Sequence, residues 1–125
     1  MILKRRKRPK MGLREPTVIK CRSHLQWIRG CECAIAGKTG VAPLGTLAWV
    51  HKCVGPMQAH HVTTRGAGGG DETAVPLCVA AHKEIHDRGV QTFQDLYGVD
   101  LEAIADKLWK ISHHGVRWRR EHDER

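Results

Sequence analysis

The stretch AHHVTTRGAGGGDETAVPLCVAAHKEIH, residues 59–86, holds four histidines in two groups: His60 with His61, and His82 with His86. Residues four apart on a helix lie on one face, so His82 and His86 can aim at one common atom. Adjacent residues on a strand point to opposite faces, so only one of His60 and His61 joins that pair easily. One would then be the third ligand of a divalent cation, and the other a free imidazole able to accept a proton. A cation held by three imidazoles keeps open positions where a phosphate oxygen or water can enter and where developing negative charge is stabilised. A free imidazole, with a pKa of about 6.5, suits the activation of water near neutral pH. Spacing alone leaves two blander alternatives open: a structural zinc site, or surface histidines with no shared task.

The surrounding residues supply elements that could position this chemistry. Met57–Thr63 and Ala74–Leu77 read as a pair of strands, joined by a loop carrying Gly66, Gly68, Gly69 and Gly70. Val79–Arg88 reads as the helix that carries HxxxH, with Gly89 as its stop. Thr92–Tyr97 is a further helical turn ended by Gly98. Asp100 then caps a longer helix whose apolar positions Leu101, Ile104, Ala105, Leu108 and Ile111 follow the i, i+3, i+4 rule. Trp109 is expected to pack rather than to act. Upstream, Arg22–Arg29 reads as a short helix with Ser23 as N-cap and Gly30 as stop. Residues 37–46 are expected as loop, followed by a weak strand over Thr46–Val50.

Charge is unevenly spread. Residues 1–20 carry eight Lys/Arg against one acid, Glu15, so this arm holds +7 of the formal +8 and the remainder only +1. Pro9 and Pro16 interrupt any helix there. A basic arm before a near-neutral body suits a polyanion, through Lys4, Arg5, Arg6, Lys7, Arg8 and Lys10; a merely solubilising extension is the plainer alternative. The chain divides into this arm (1–20), a domain over 21–112 and a charged C-terminal tail (113–125). No run approaches the roughly 20 apolar residues of a membrane span, and no apolar segment follows the basic start as in a secretory signal. The expectation is a cytoplasmic protein with no membrane partner. Five cysteines, Cys21, Cys31, Cys33, Cys53 and Cys78, are then expected as reduced thiols. Cys78 reads first as a small core residue and the others as incidental; an irregular four-thiolate zinc site from Cys31, Cys33, Cys53 and Cys78 is the alternative.

AHHV at 59–62, RGAGGG at 65–70 and AVPLC at 74–78 followed by His82 and His86 resemble the HNH endonuclease superfamily. HLQWIRG at 24–30 and DLEAIADKLW at 100–109 resemble flanks of its phage and prophage members, including the recombination-enhancement nucleases. The resemblance spans roughly residues 22–110. It implies an α+β fold built on a ββα-metal core with flanking helices. It further implies a metal-dependent DNA endonuclease of a bacterial host cell, phage or prophage encoded. By position, His61 matches the general base, and His60, His82 and His86 match metal ligands for Zn²⁺, Mg²⁺, Mn²⁺ or Ni²⁺. Arg65 matches a basic residue that could meet the scissile phosphate, with a solvent-exposed loop arginine as the plainer alternative. Asp71 matches an acid of the phage group that could orient a histidine, coordinate, or shape the loop. The family's central Asn, which orients the base, falls at Thr73, where a backbone carbonyl could serve instead. That departure, with the broken cysteine pairs, keeps open a second class: a zinc-stabilised nucleic-acid-binding module that does not cleave.

Overall fold

The computed structural model describes residues 18–63 and 69–122. Within them the chain is α+β, with five α-helices and two separate two-stranded antiparallel sheets. Helix α1 (Arg22–Arg29) buries His24 and Ile28, one turn apart. Cys21, not Ser23, takes its N-cap position, and no side chain caps it. Gly30 ends it, as its place in the sequence implies.

The first sheet pairs β1 (Thr39–Val41) with β2 (Ala48–Val50), with Gly40 opposite Trp49. A 3-10 turn at Pro43–Gly45 lies between them. The expected loop over 37–46 therefore contains a short strand. Thr-Gly-Val, flanked by turn residues, carries no alternation that would announce it.

The second sheet is the centre of the molecule. Strand β3 (Met57–His61) pairs with β4 (Ala74–Cys78) in a register that sets Met57 against Cys78, His60 against Val75 and His61 against Ala74. Every residue of β4 is buried. The carbonyl of Pro76 accepts from Ala34 N at 2.8 Å, so the chain before β1 lies along β4. Helix α2 (Val79–Arg88) starts at the end of β4. Cys78 is its N-cap, with Sγ accepting from Ala81 N at 3.4 Å. Gly89 ends it.

Helix α3 (Val90–Tyr97) follows, then α4 (Leu101–Ile111), whose first turn is capped by Asp100 accepting from Ala103 N at 3.1 Å. Helix α5 (His113–His122) completes the chain within residues assigned by sequence to the charged tail. Ile35, Val75, Leu77, Ile85, Phe93 and Leu101 form the centre of the core. Burying each such side chain contributes about 1.5–3 kcal/mol. The buried stripe of α4 is Leu101, Ala105 and Trp109. Ile111, expected on the core face, is 59% exposed, because the chain breaks at Ser112 and α5 covers Trp109 from the other side. No helix among the described residues is long and apolar enough to cross a membrane.

One buried titratable group lies in this packing, away from the histidines of the central hairpin. His24 is fully buried, 4.8 Å from the ring of Trp109 edge-on and 5.7 Å from that of Trp27. Its Nδ1 lies 3.0 Å from Ser112 Oγ, which also accepts from His114 N and Gly115 N at the start of α5. The hydroxyl proton of Ser112 is then free to be given to His24 Nδ1. Burial first, and His114 second, push the His24 pKa down from 6.5 to about 4. Its neutral form is the one that fits. Stability from this group is therefore complete above the unfolded pKa and lost as pH falls through the folded one. Urea unfolding should show stability falling between about pH 6.5 and 4. In His24→Phe that fall should be smaller by up to about 3 kcal/mol. An identical pH slope in the two proteins would contradict the assignment.

Candidate metal and hydrolytic site

The pleat of β3 sends His60 and His61 to opposite sides, as their adjacency requires. His60 is buried against α2, whereas the side chain of His61 is 22% exposed. On α2, His82 and His86 sit one turn apart and face His60. Ring centroids are 5.0 Å apart for His60–His82, 5.4 Å for His60–His86 and 4.8 Å for His82–His86. One ring nitrogen from each lies within 4.8 Å of the others, so the three could hold a metal ion. A tetrahedral Zn–N shell would bring such nitrogens to about 3.4 Å, a closure that small ring rotations can supply.

The electrostatics favour the same occupant. Burial, then the neighbouring His82, His86 and His61, lowers the His60 pKa to about 4. Burial and His86 also lower that of His82. These imidazoles are held neutral, the form that ligates metal. His60 Nε2 is buried and has no hydrogen-bond partner among the described residues. A buried polar atom without a partner costs about 1–3 kcal/mol, which a cation would relieve.

His61 has a different environment. Its Nε2 lies 3.0 Å from Oδ1 of Asp71, which is itself almost wholly buried. Asp71 is held in turn by Cys21 N, which donates to Oδ2 at 2.6 Å, and its own N–H donates to Ile19 O at 2.8 Å. The carboxylate fixes a proton on Nε2 and leaves Nδ1 of His61 with its lone pair. Of the alternatives open for Asp71, contact with a histidine and shaping of the loop are both present.

The approach to Asp71 has no room for side chains. A Cβ on Gly69 would lie 1.8 Å from Thr63 O, and one on Gly70 would lie 2.7 Å from Ile19 N and O. Thr73 takes no part in holding His61. Its hydroxyl donates to Gly70 O at 2.8 Å and closes the turn that presents Asp71. Arg65 and the basic residues Lys4, Arg5, Arg6, Lys7, Arg8 and Lys10 lie outside the described residues.

A second group lies at the other end of the same hairpin. Cys33, His51, Cys53 and Cys78 bring ligand atoms within 4.8 Å of one another and could hold a metal ion such as zinc. His51 Nε2 is 3.4 Å from Cys78 Sγ and 4.0 Å from Cys33 Sγ. A tetrahedral Zn–S shell would set sulfurs about 3.8 Å apart. Burial raises the Cys33 thiol, and burial with the adjacent Cys33 raises that of Cys53 to about 12. Burial also pushes Cys78 upward, but hydrogen bonds from the Ala81 and Val54 backbone and from the Cys33 and Cys53 thiols together outweigh it, and its net shift is down. Three thiols this close resist ionising together unless a cation compensates.

This group corrects the alternative four-cysteine set. Cys31 is not a member: its Sγ donates back to Trp27 O at 3.4 Å, at the end of α1. His51 takes its place, because the backbone of His51 is bound to Lys38 O at 2.8 Å beyond the β1–β2 pair. Cys78 is the buried core residue its place implied, and it also clusters with Cys33 and Cys53, which are therefore not incidental. The signal was local: His51-x-Cys53 repeats the spacing of Cys31-x-Cys33, and a reading confined to cysteines passed over it.

Comparison with known proteins gave no match to a family model, a curated protein or a solved structure.

The two groups make separable expectations. Metal analysis of purified protein should find up to two bound cations. His51→Ala or Cys53→Ser should lose one and His82→Ala the other, while Cys31→Ser keeps both. The Cys53→Ser protein should melt about 10 °C lower, for a loss of about 2 kcal/mol. Loss of a cation in Cys31→Ser, or full retention in His51→Ala, would refute the assignment of the cysteine group.

Proposed function

We propose that this protein is a metal-dependent endonuclease of the HNH type, which hydrolyses phosphodiester bonds of DNA. The single observation that carries the proposal is the spare imidazole. His61, oriented by buried Asp71 at 3.0 Å, stands next in the chain to a member of a three-histidine group but faces away from it. A purely structural metal site has no use for such a dyad.

A divalent cation held by His60, His82 and His86 would supply Lewis-acid stabilisation of the charge on the phosphate and the departing oxygen. The protein's own residues account for the remaining steps. Nδ1 of His61 takes the proton of an attacking water, and Asp71 stabilises the imidazolium that results. His61 is close enough to His60 to influence its protonation. Zinc is the natural occupant of the Cys33–His51–Cys53–Cys78 group, where three thiolates and an imidazole complete a closed shell and fix structure rather than chemistry. Arg65 and the basic arm would meet phosphate, and activity is expected in the host cytoplasm.

A second reading, a zinc-stabilised nucleic-acid-binding module without cleavage, draws support from that closed cysteine group. Supercoiled plasmid separates the two. With Mg²⁺, Mn²⁺, Ni²⁺ or Zn²⁺ the wild-type protein should nick it, and His61→Ala should nick about 10²–10⁴ times more slowly with metal content unchanged. DNA retardation without cutting, equal in both proteins, would establish the binding module instead.

The arm adds a further expectation. Deletion should stop at residue 17, because Ile19 and Cys21 hold Asp71. It removes seven Lys/Arg, and the slope of log affinity against log salt should flatten accordingly. Unchanged affinity at low salt would exclude the arm as the electrostatic anchor.

A further inference from the structure

Gln58 is part of neither histidine role, yet it touches the site. It lies two residues before His60 on β3, and so on the same face of the strand, toward α2. Its Oε1 is 2.5 Å from Nδ1 of His82. An amide oxygen can only accept, so a contact this short requires the proton on Nδ1. Nε2 of His82 then keeps its lone pair. A neutral imidazole without that partner is free to move its proton to Nε2, which cannot then ligate. Among the described residues neither His60 nor His86 has a comparable side-chain acceptor, and His60 Nε2 has no hydrogen-bond partner there.

We infer that Gln58 is the positioning residue of the three-histidine group, fixing the ring and tautomer of His82 so that Nε2 faces a divalent cation. This rests on the reading that His60, His82 and His86 bind one. The choice of amide over carboxylate has its own consequence. A carboxylate partner makes a ligating imidazole more basic and holds metal more tightly. A neutral amide sets the tautomer without adding charge. The cation then keeps more of its pull on a phosphate oxygen and exchanges more readily.

Four proteins test this: wild type, Gln58→Leu, Gln58→Glu and His82→Ala, the last to assign the step due to this group. Calorimetric titration with Zn²⁺ and Ni²⁺ should show Gln58→Leu weaker by about 10–100-fold and Gln58→Glu at least as tight as wild type. Nitrogen–proton NMR of the His82 ring should find Nδ1–H in wild type and Gln58→Glu, and a mixture with Nε2–H in Gln58→Leu. A loss of packing alone would not move the tautomer or be rescued by glutamate. Equal affinity within twofold and the same tautomer in Gln58→Leu would overturn the inference while leaving the metal site standing. Uptake in wild type no greater than in His82→Ala would overturn the metal site, and the inference with it.

Discussion

The pleat of one short strand governs this molecule. Because β3 turns successive side chains to opposite faces, two adjacent histidines enter different surroundings: His60 goes under α2 among other imidazoles, and His61 goes to a buried carboxylate. The same alternation returns Gln58 to the side of His60. A shift of one residue in the β3–β4 register would exchange every one of these environments. What fixes the register is the wholly buried β4, whose five residues have nowhere else to go.

Polar groups tie together segments at the margins of the core, and a bound metal would add its binding free energy to folding. Here the second candidate group joins the chain ahead of β1, the segment after β2 and the start of α2. Exposed apolar residues on the β1–β2 side, including Leu44, Leu47 and Val54, show how little core lies beneath that region. Asp71 performs a comparable service on the opposite side, tying the chain before α1 to the turn before β4.

Much of this was legible in the sequence because it rested on period and punctuation. The HxxxH spacing, the glycines that end α1 and α2, and the Asp100 cap are local signals, and each element they mark is present. That one of His60 and His61 joins His82 and His86 followed from two periodicities, 2 for the strand and 3.6 for the helix; that it is His60 was implied by the resemblance alone. What escaped was set by tertiary contact. His51 reaches the cysteines from a non-periodic segment, and Cys31 leaves them for a carbonyl of its own helix. Thr73 occupies the position of an orienting residue, but Asp71, two residues earlier, reaches His61 because the 3-10 turn at Asp71–Thr73 turns it inward. Gln58 carried no sequence signal, since an amide on a strand is ordinarily read as a solvent-facing residue.

Cys78 belongs at once to the end of β4, to the cap of α2 and to the cysteine–histidine cluster, and His82 and His86 follow on the same helix. Each residue along a helix advances the side chain by about 100°. A single insertion or deletion between Cys78 and His82 would therefore swing both histidines away from His60 while the cysteine end stayed anchored. The β1–β2 connection, with Leu44 almost wholly in solvent, carries no such constraint. Across divergent copies of this chain, length should be free to drift at that exposed turn and frozen from the last residue of β4 through the second helical histidine.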